Sequence, residues 1–279
     1  QRSGDPVLVS WLGGEPLLWG PLRELTTAFV HRLGLRVSVT TNGTALSASA
    51  TRAHLLAHYA EVTMSVDGMG ERHDILRGWP GGFASLRAAV RALADEKRRA
   101  GRGPLLRANV VLMRDNVAEF AALCGELADW GIEEVTFNQL GGNDRPEFYP
   151  AHRLSAHDVE RLAAELPLLR DALARRGVRI HGGAAYLDRI RSSASGRALP
   201  VHDCDPGESF LFVSETGLVS PCSFTGTEYG VPLAELRTAE DISSLRSRFG
   251  AARARARAAA CGDCPSTHVF AKFAAAYAP

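Results

Sequence analysis

Apolar and polar positions along the chain switch repeatedly between two periods. Short runs rich in Val, Leu and Thr at 7–12, 36–41, 61–66, 105–113 and 134–140 have the length and composition of strands. Between them, 17–33, 50–59, 83–99 and 117–130 place apolar residues three and four apart, the spacing of a helix with one buried face. Strand starts recur at roughly the size of a βα unit. The third-to-fourth step is longer, drawn out by the glycine-rich segment 68–82. Alternation of this kind predicts a parallel sheet, as part of a (β/α) barrel or an open doubly wound sheet, with active residues at the C-terminal strand ends.

After Leu140 the pattern changes. Gly141-Gly142-Asn143-Asp144-Arg145-Pro146 predicts an irregular loop, 156–176 a charged helix and 178–180 a short strand. The segment 192–200 has the composition of a linker. Beyond it, 210–220 predicts a hairpin turning at Glu215-Thr216-Gly217. The expected organisation is a larger α/β domain over 1–190 and a small cysteine-rich α+β domain over 200–279. The chain opens at Gln1 and enters a strand almost at once, so the sequence looks like part of a longer protein.

Composition narrows the function classes. Of 279 residues, 46% are hydrophobic and 23% charged, ordinary values for a soluble globular protein. A formal charge of +1 supplies no global field for nucleic acid or an anionic membrane. No apolar stretch reaches transmembrane length and no signal peptide is visible, so no membrane partner and a cytoplasmic location are expected. Arg253, Arg255 and Arg257 alternate with alanine, which predicts a solvated helix face.

The cysteines carry the first chemical signal. Cys261-Gly262-Asp263-Cys264 places two thiols on one tight turn, and Cys204 and Cys222 lie upstream. Together they make a four-sulfur set suited to zinc or an iron–sulfur cluster. The fifth cysteine, Cys124, sits in an apolar helical run and reads as a small buried hydrophobe.

The strand ends carry the second. Gly13-Gly14-Glu15-Pro16 follows the first strand: the glycines let the backbone approach a ligand, Glu15 projects a carboxylate, and Pro16 starts a helix. Thr40-Thr41-Asn42-Gly43 ends the second strand. Ser65-Val66-Asp67-Gly68 ends the third, with Ser65 and Asp67 two apart and so on one face. Three neighbouring strand ends of this composition predict one polar ligand mouth.

G-G-E-P, T-N-G, S-V-D-G and the following His73-Asp74-x-x-Arg77-Gly78 resemble the radical S-adenosylmethionine (SAM) enzymes. Cys204-x-x-Gly207, Gly217-x-x-x-Pro221-Cys222 and Cys261-x-x-Cys264 resemble their SPASM or Twitch extensions. The resemblance implies a partial (β/α)6 TIM-like barrel and the cofactors SAM and [4Fe–4S]. Gly13, Gly14, Glu15 and Pro16 would hold the methionyl amino end. Ser65 and Asp67 would face the ribose or methionyl carboxylate, with Asn42 nearby, while Arg77 braces the loop. Cys204, Cys222, Cys261 and Cys264 would bind one auxiliary cluster, with a Zn(Cys)4 knuckle as the alternative. No residue is assigned a catalytic role. The family's C-x-x-x-C-x-x-C, which binds the catalytic cluster, does not occur in the 279 residues. It is expected upstream together with a first strand, the alternative being a cluster-free relative, and the fragment alone is expected to be inactive. The implied function is a peptide- or protein-modifying maturase served by an electron-donor protein. The alternatives are small-molecule oxidation or cofactor assembly, and a non-catalytic peptide-binding module.

Overall fold

The computed structural model describes residues 7–141 and 146–273. Gly142, Asn143, Asp144 and Arg145, part of the predicted irregular loop, lie outside the described residues. The chain divides into two units, 1–182 and 183–279.

The first unit is a six-stranded parallel sheet in sequence order: β1 (Leu8–Trp11), β2 (Arg36–Thr41), β3 (Glu61–Ser65), β4 (Leu105–Leu112), β5 (Glu134–Gln139) and β6 (Arg179–Ile180). Its helices are α1 (Leu22–His31), α2 (Ser49–His58), α3 (Gly70–Arg77), α4 (Gly82–Ala100), α5 (Phe120–Asp129), α6 (Tyr149–His152) and α7 (Ala156–Ala174). A short 3₁₀ turn, Pro16–Leu18, precedes α1. The long step between β3 and β4 holds two helices, because α3 occupies most of the glycine-rich segment.

Side-chain alternation explains the architecture. Val37, Val39, Val62, Met64, Leu106, Ala108, Val110, Leu112, Val135 and Phe137 are at most 1% exposed and form one apolar face. The alternate positions of β2 to β5 are polar except Leu105 and Val111. A sheet wound with helices on both faces would be apolar on both. One apolar face and one polar face instead suit a curved sheet with helices outside and a ligand-lining interior. In a closed barrel that interior is filled by branched side chains; here Ser10 and Ser38 hydroxyls meet at 2.7 Å, and Asn109 accepts from Thr136 and Asn138 at 2.9 and 3.2 Å.

A ladder of alternating charge crosses the same face. Arg36 lies 3.6 Å from Glu61, Arg107 lies 2.9 Å from Glu61 and 2.6 Å from Glu134, and Glu134 lies 3.5 Å from Arg179 and 2.8 Å from His181. Burial alone would raise the Glu134 carboxyl. Hydrogen bonds from His181 and Arg107, with the Arg107 charge, outweigh it and bring the pKa down to about 2. Burial opposes the Arg107 charge, but its bonds to Glu134 and Glu61 raise its pKa on balance.

The second unit holds α8 (Ala184–Ala194), a three-stranded antiparallel sheet of β7 (Phe212–Val213), β8 (Leu218–Ser220) and β9 (Val231–Pro232), and helices α9 (Gly226–Tyr229), α10 (Ala239–Ser243) and α11 (Leu245–Arg255). Gly217 (φ 76°) makes the β7–β8 turn. Val219, Tyr229, Val231, Leu245, Phe249 and Ala258 form its core. α8 runs through part of the segment expected as linker, because Tyr186, Arg189, Ile190 and Ser192 bury one of its faces. Among the described residues no helix is long and apolar enough to cross a membrane.

Candidate functional site

The C-terminal ends of β1, β2 and β3 lie side by side and bring the three polar segments to one edge. Gly13 and Gly14 both have positive φ, 86° and 47°, which turns the chain sharply after β1. Glu15 then caps the 3₁₀ turn: its Oε1 accepts from the Leu17 N–H at 3.1 Å. The same oxygen accepts from the Thr41 hydroxyl at 2.7 Å, and Oε2 accepts from the Asn42 N–H at 2.6 Å. Glu15 therefore joins the first two strand ends through two of its three bonds, those from Thr41 and Asn42. A carboxylate has about four acceptor positions, which leaves capacity for an ammonium donor. Asn42 turns its Oδ1 to the Thr44 N–H and hydroxyl at 2.9 and 2.8 Å. Gly43 has φ 87°, and a Cβ there would stand 2.2 Å from Leu86 Cδ1.

Ser65 is half-buried at the end of β3 and pairs in register with Asn109. Asp67 is buried. Its Oδ1 accepts from the Val111 N–H at 2.8 Å and its Oδ2 meets the Arg77 guanidinium at 2.6 Å. His73, fully buried, accepts the Asp67 N–H at Nδ1 (3.3 Å), so a neutral ring carries its proton on Nε2. Burial first, then the Arg77 charge, lowers the His73 pKa, against smaller opposing effects of Asp67 and Asp74. Asp74 accepts from the Gly81 and Phe83 N–H groups, both at 2.7 Å, and ties α3 to α4. The H-D-x-x-R-G signature thus braces the turn after β3. One contributor was missed in the sequence: Asn116 donates to the Asp67 and Val111 carbonyls at 2.7 and 2.8 Å. Only its place shortly after a strand end marks it.

In the second unit Cys204, Cys222, Cys261 and Cys264 line one cavity, with Phe210, Thr225, Arg253 and His268 among the other walls. The C-x-x-C turn is held by backbone bonds: Val201 N–H to Cys261 O at 3.2 Å and Cys264 N–H to Leu199 O at 3.3 Å. Asp263 accepts from the Leu199 N–H at 3.1 Å and pairs with Arg189 at 2.8 Å. Cys222 Sγ lies 3.2 Å from the Thr225 hydroxyl. Burial first, then the neighbouring cysteines, raises the Cys204 and Cys264 thiols; Arg253 opposes this at Cys204, and a backbone hydrogen bond from Ser266 at Cys264. Among the described residues no three His, Cys, Asp or Glu side chains stand arranged around one metal position. The donor set fits a thiophilic metal, since four sulfurs share one cavity. Cys124 stands apart, fully buried in α5, its thiol pushed well up by burial.

The predicted solvated arginine face holds for Arg255 and Arg257, which are exposed, and is corrected for Arg253. The Arg253 side chain is 11% exposed, and Arg253 and Arg257 both donate to the Val201 carbonyl at 2.6 Å. Ala256 leaves the helix in an extended conformation, which ends the helical periodicity on which the prediction rests.

No family model matches the chain. Among curated proteins, an AdoMet-dependent heme synthase of Oleidesulfovibrio alaskensis is 25% identical over 241 residues, 81% of this chain and 59% of the relative. One of Methanosarcina barkeri is 28% identical over 230 residues, 79% of this chain and 64% of the relative. The chain therefore spans about three fifths of the length of these relatives. Among solved structures, Streptococcus suis SuiB bound to S-adenosylmethionine matches with a TM-score of 0.65 at 14% identity, over 92% of this chain and 61% of SuiB. SuiB bound to its precursor peptide SuiA gives 0.64 at 16% identity, over 88% of this chain and 56% of SuiB. AnSMEcpe with bound AdoMet gives 0.63 at 16% identity, over 88% of this chain and 65% of that chain.

The chain is similar in sequence to AdoMet-dependent heme synthases and shares the fold of the radical SAM enzymes SuiB and anSMEcpe. Its parallel sheet is the partial barrel of that fold, and the strand-end mouth lies on the edge where the general rule for such sheets puts ligands.

Proposed function

We propose that the chain forms the SAM-binding and auxiliary-centre part of a radical SAM enzyme. The observation that carries this reading is the joining of strand ends by Glu15, which leaves the Gly13–Gly14 backbone, Asn42 and Ser65 around one edge. In the proposal Glu15 accepts the methionyl ammonium and the glycine turn admits the methionyl backbone. Ser65 and Asn42 offer hydrogen bonds to the polar remainder, while Asp67, held by Val111 and Arg77, fixes the turn beside them. SAM with a [4Fe–4S] cluster supplies a 5′-deoxyadenosyl radical that abstracts a substrate hydrogen. The protein's part is to bind, orient and exclude water. No C-x-x-x-C-x-x-C occurs in the 279 residues, and none of them is assigned to the catalytic cluster. Cys204, Cys222, Cys261 and Cys264 would hold one auxiliary metal centre, an iron–sulfur cluster in the leading reading and zinc in the other.

Two substrate classes remain in the proposal. A peptide is supported by the fold-level neighbour bound to a precursor peptide. A cofactor-assembly substrate is supported by the curated relatives named as heme synthases and by a Methanosarcina barkeri relative named Fe-coproporphyrin III synthase, 26% identical over 137 residues. Anaerobic reconstitution of the full protein, with an electron donor and SAM, tests the reading through 5′-deoxyadenosine. Stimulation by an iron porphyrin favours cofactor assembly, and stimulation by a peptide encoded beside the gene favours maturation. No 5′-deoxyadenosine from an iron-loaded protein would remove the radical SAM reading.

A further inference from the structure

We infer that the cysteine cavity is built for an anionic metal–thiolate centre and that Arg253 is the side chain that donates to it, an inference that rests on the proposed four-cysteine site. Arg253 lines the cavity with all four cysteines. Its Nη2 donates to the Val201 carbonyl at 2.6 Å, and its Nη1 lies 3.3 Å from Asp203. The Nε–H is buried and finds no acceptor among the described residues. Asp203 is 83% exposed, so water screens much of its charge.

A guanidinium stays charged at every working pH and accepts no hydrogen bond. A buried charged donor without an acceptor is costly, and thiols are weak acceptors. Cysteine ligands bind metal as thiolates. Four of them around a divalent ion or an iron–sulfur core carry net negative charge and present sulfur acceptors. Such a centre supplies a partner for Nε–H and a buried counter-charge beside the solvent-screened one of Asp203.

The neighbouring arginines do not share this position. Arg246 is paired with Asp205 and Glu208 at 2.8 and 2.6 Å. Arg255 is exposed, and Arg257 donates to the Val201 and Cys261 carbonyls at 2.6 and 2.8 Å. Arg253 is thus a positioning residue for the centre.

The test uses the full chain, reduced, metal-free and anaerobic, titrated with Co²⁺ as the probe and read by thiolate-to-cobalt charge-transfer absorption. The wild-type protein is expected to develop that absorption at one Co²⁺ per chain. Arg253→Gln is expected to bind about ten- to a hundred-fold more weakly, the effect of losing one charge-assisted hydrogen bond. The Co²⁺-induced rise in unfolding temperature should be smaller in the variant, a readout that mere bracing of Val201 would not move. If Arg253→Gln fails to fold, Arg253→Lys decides, since it keeps the charge but lacks the fixed Nε–H; several-fold weaker binding supports the inference. Equal affinity and an equal thermal rise would overturn the role of Arg253. Absence of charge-transfer absorption in the wild type would overturn the four-cysteine site itself, and the inference with it.

Discussion

Glu15 has two tasks at one carboxylate. It accepts three hydrogen bonds, two of which hold the first two strand ends together while the third caps the turn after β1, and in the proposal it also takes the ammonium of SAM. Glu15→Gln keeps the shape but turns an N–H donor toward one of those partners. We expect a loss of about 1–3 kcal/mol in denaturant unfolding and SAM binding about ten- to a hundred-fold weaker by calorimetry. Unchanged SAM affinity in a folded Glu15→Gln protein would limit Glu15 to bracing the loops. Gly43 poses the opposite problem. Alanine there meets Leu86 and is forced into the left-handed region, so Gly43→Ala is expected to lower stability by about 1–3 kcal/mol, measured by urea midpoint. Glu15 and Gly43 stand out in the sequence because they follow strands. Asn116 and Arg253 do not, because their partners are backbone carbonyls or an unmet donor, which no local pattern announces.

At the scale of elements, the charge ladder couples five neighbouring strands through Arg107. Arg107→Ala leaves Glu61 and Glu134 buried without their shared cation, and a loss of about 3–5 kcal/mol is expected in urea unfolding at neutral pH. The pH dependence follows from Glu134, whose folded pKa of about 2 lies below an ordinary carboxyl's. A depressed carboxyl contributes stability above its unfolded pKa and loses it as pH falls through the folded one. Wild-type stability should therefore decline between about pH 4.5 and 2, by on the order of 3 kcal/mol from this group. In Arg107→Ala the folded Glu134 pKa moves up toward the unfolded value, so the acid loss from this group should shrink; an acid limb of unchanged depth would show that Glu134 does not depend on Arg107. The strands that carry this ladder were legible because apolar residues alternate with polar ones, even with charges on the inner face. α3 was not legible: of its eight residues only His73 is buried, and the glycines around it suggested a loop. α8 escaped for a related reason, since Arg189 and Ser192 are among the residues it buries.

Across the whole molecule, two separate chemistries are laid out in two units. The first presents a polar sheet face under a ligand mouth, and the second a cavity with four cysteines and a charged donor. The fold class was open to a sequence reading because each βα unit announces itself by its period. The order of motifs along the chain singled out the family more firmly than any one motif. The cysteines' shared cavity depends on contacts between 199–201 and 261–264, sixty or more residues apart. The spacing Cys261-x-x-Cys264 hints at these contacts without fixing them. The central claim is that SAM binds at the mouth built from 13–16, 41–43 and 65–68. Hydrogen exchange of the full, anaerobically reconstituted protein with and without SAM tests it most directly. The account predicts joint protection of backbone amides in these three segments, from three different strands, with little change elsewhere in β1, β2 and β3. Protection confined to other segments, or none at saturating SAM, would contradict it.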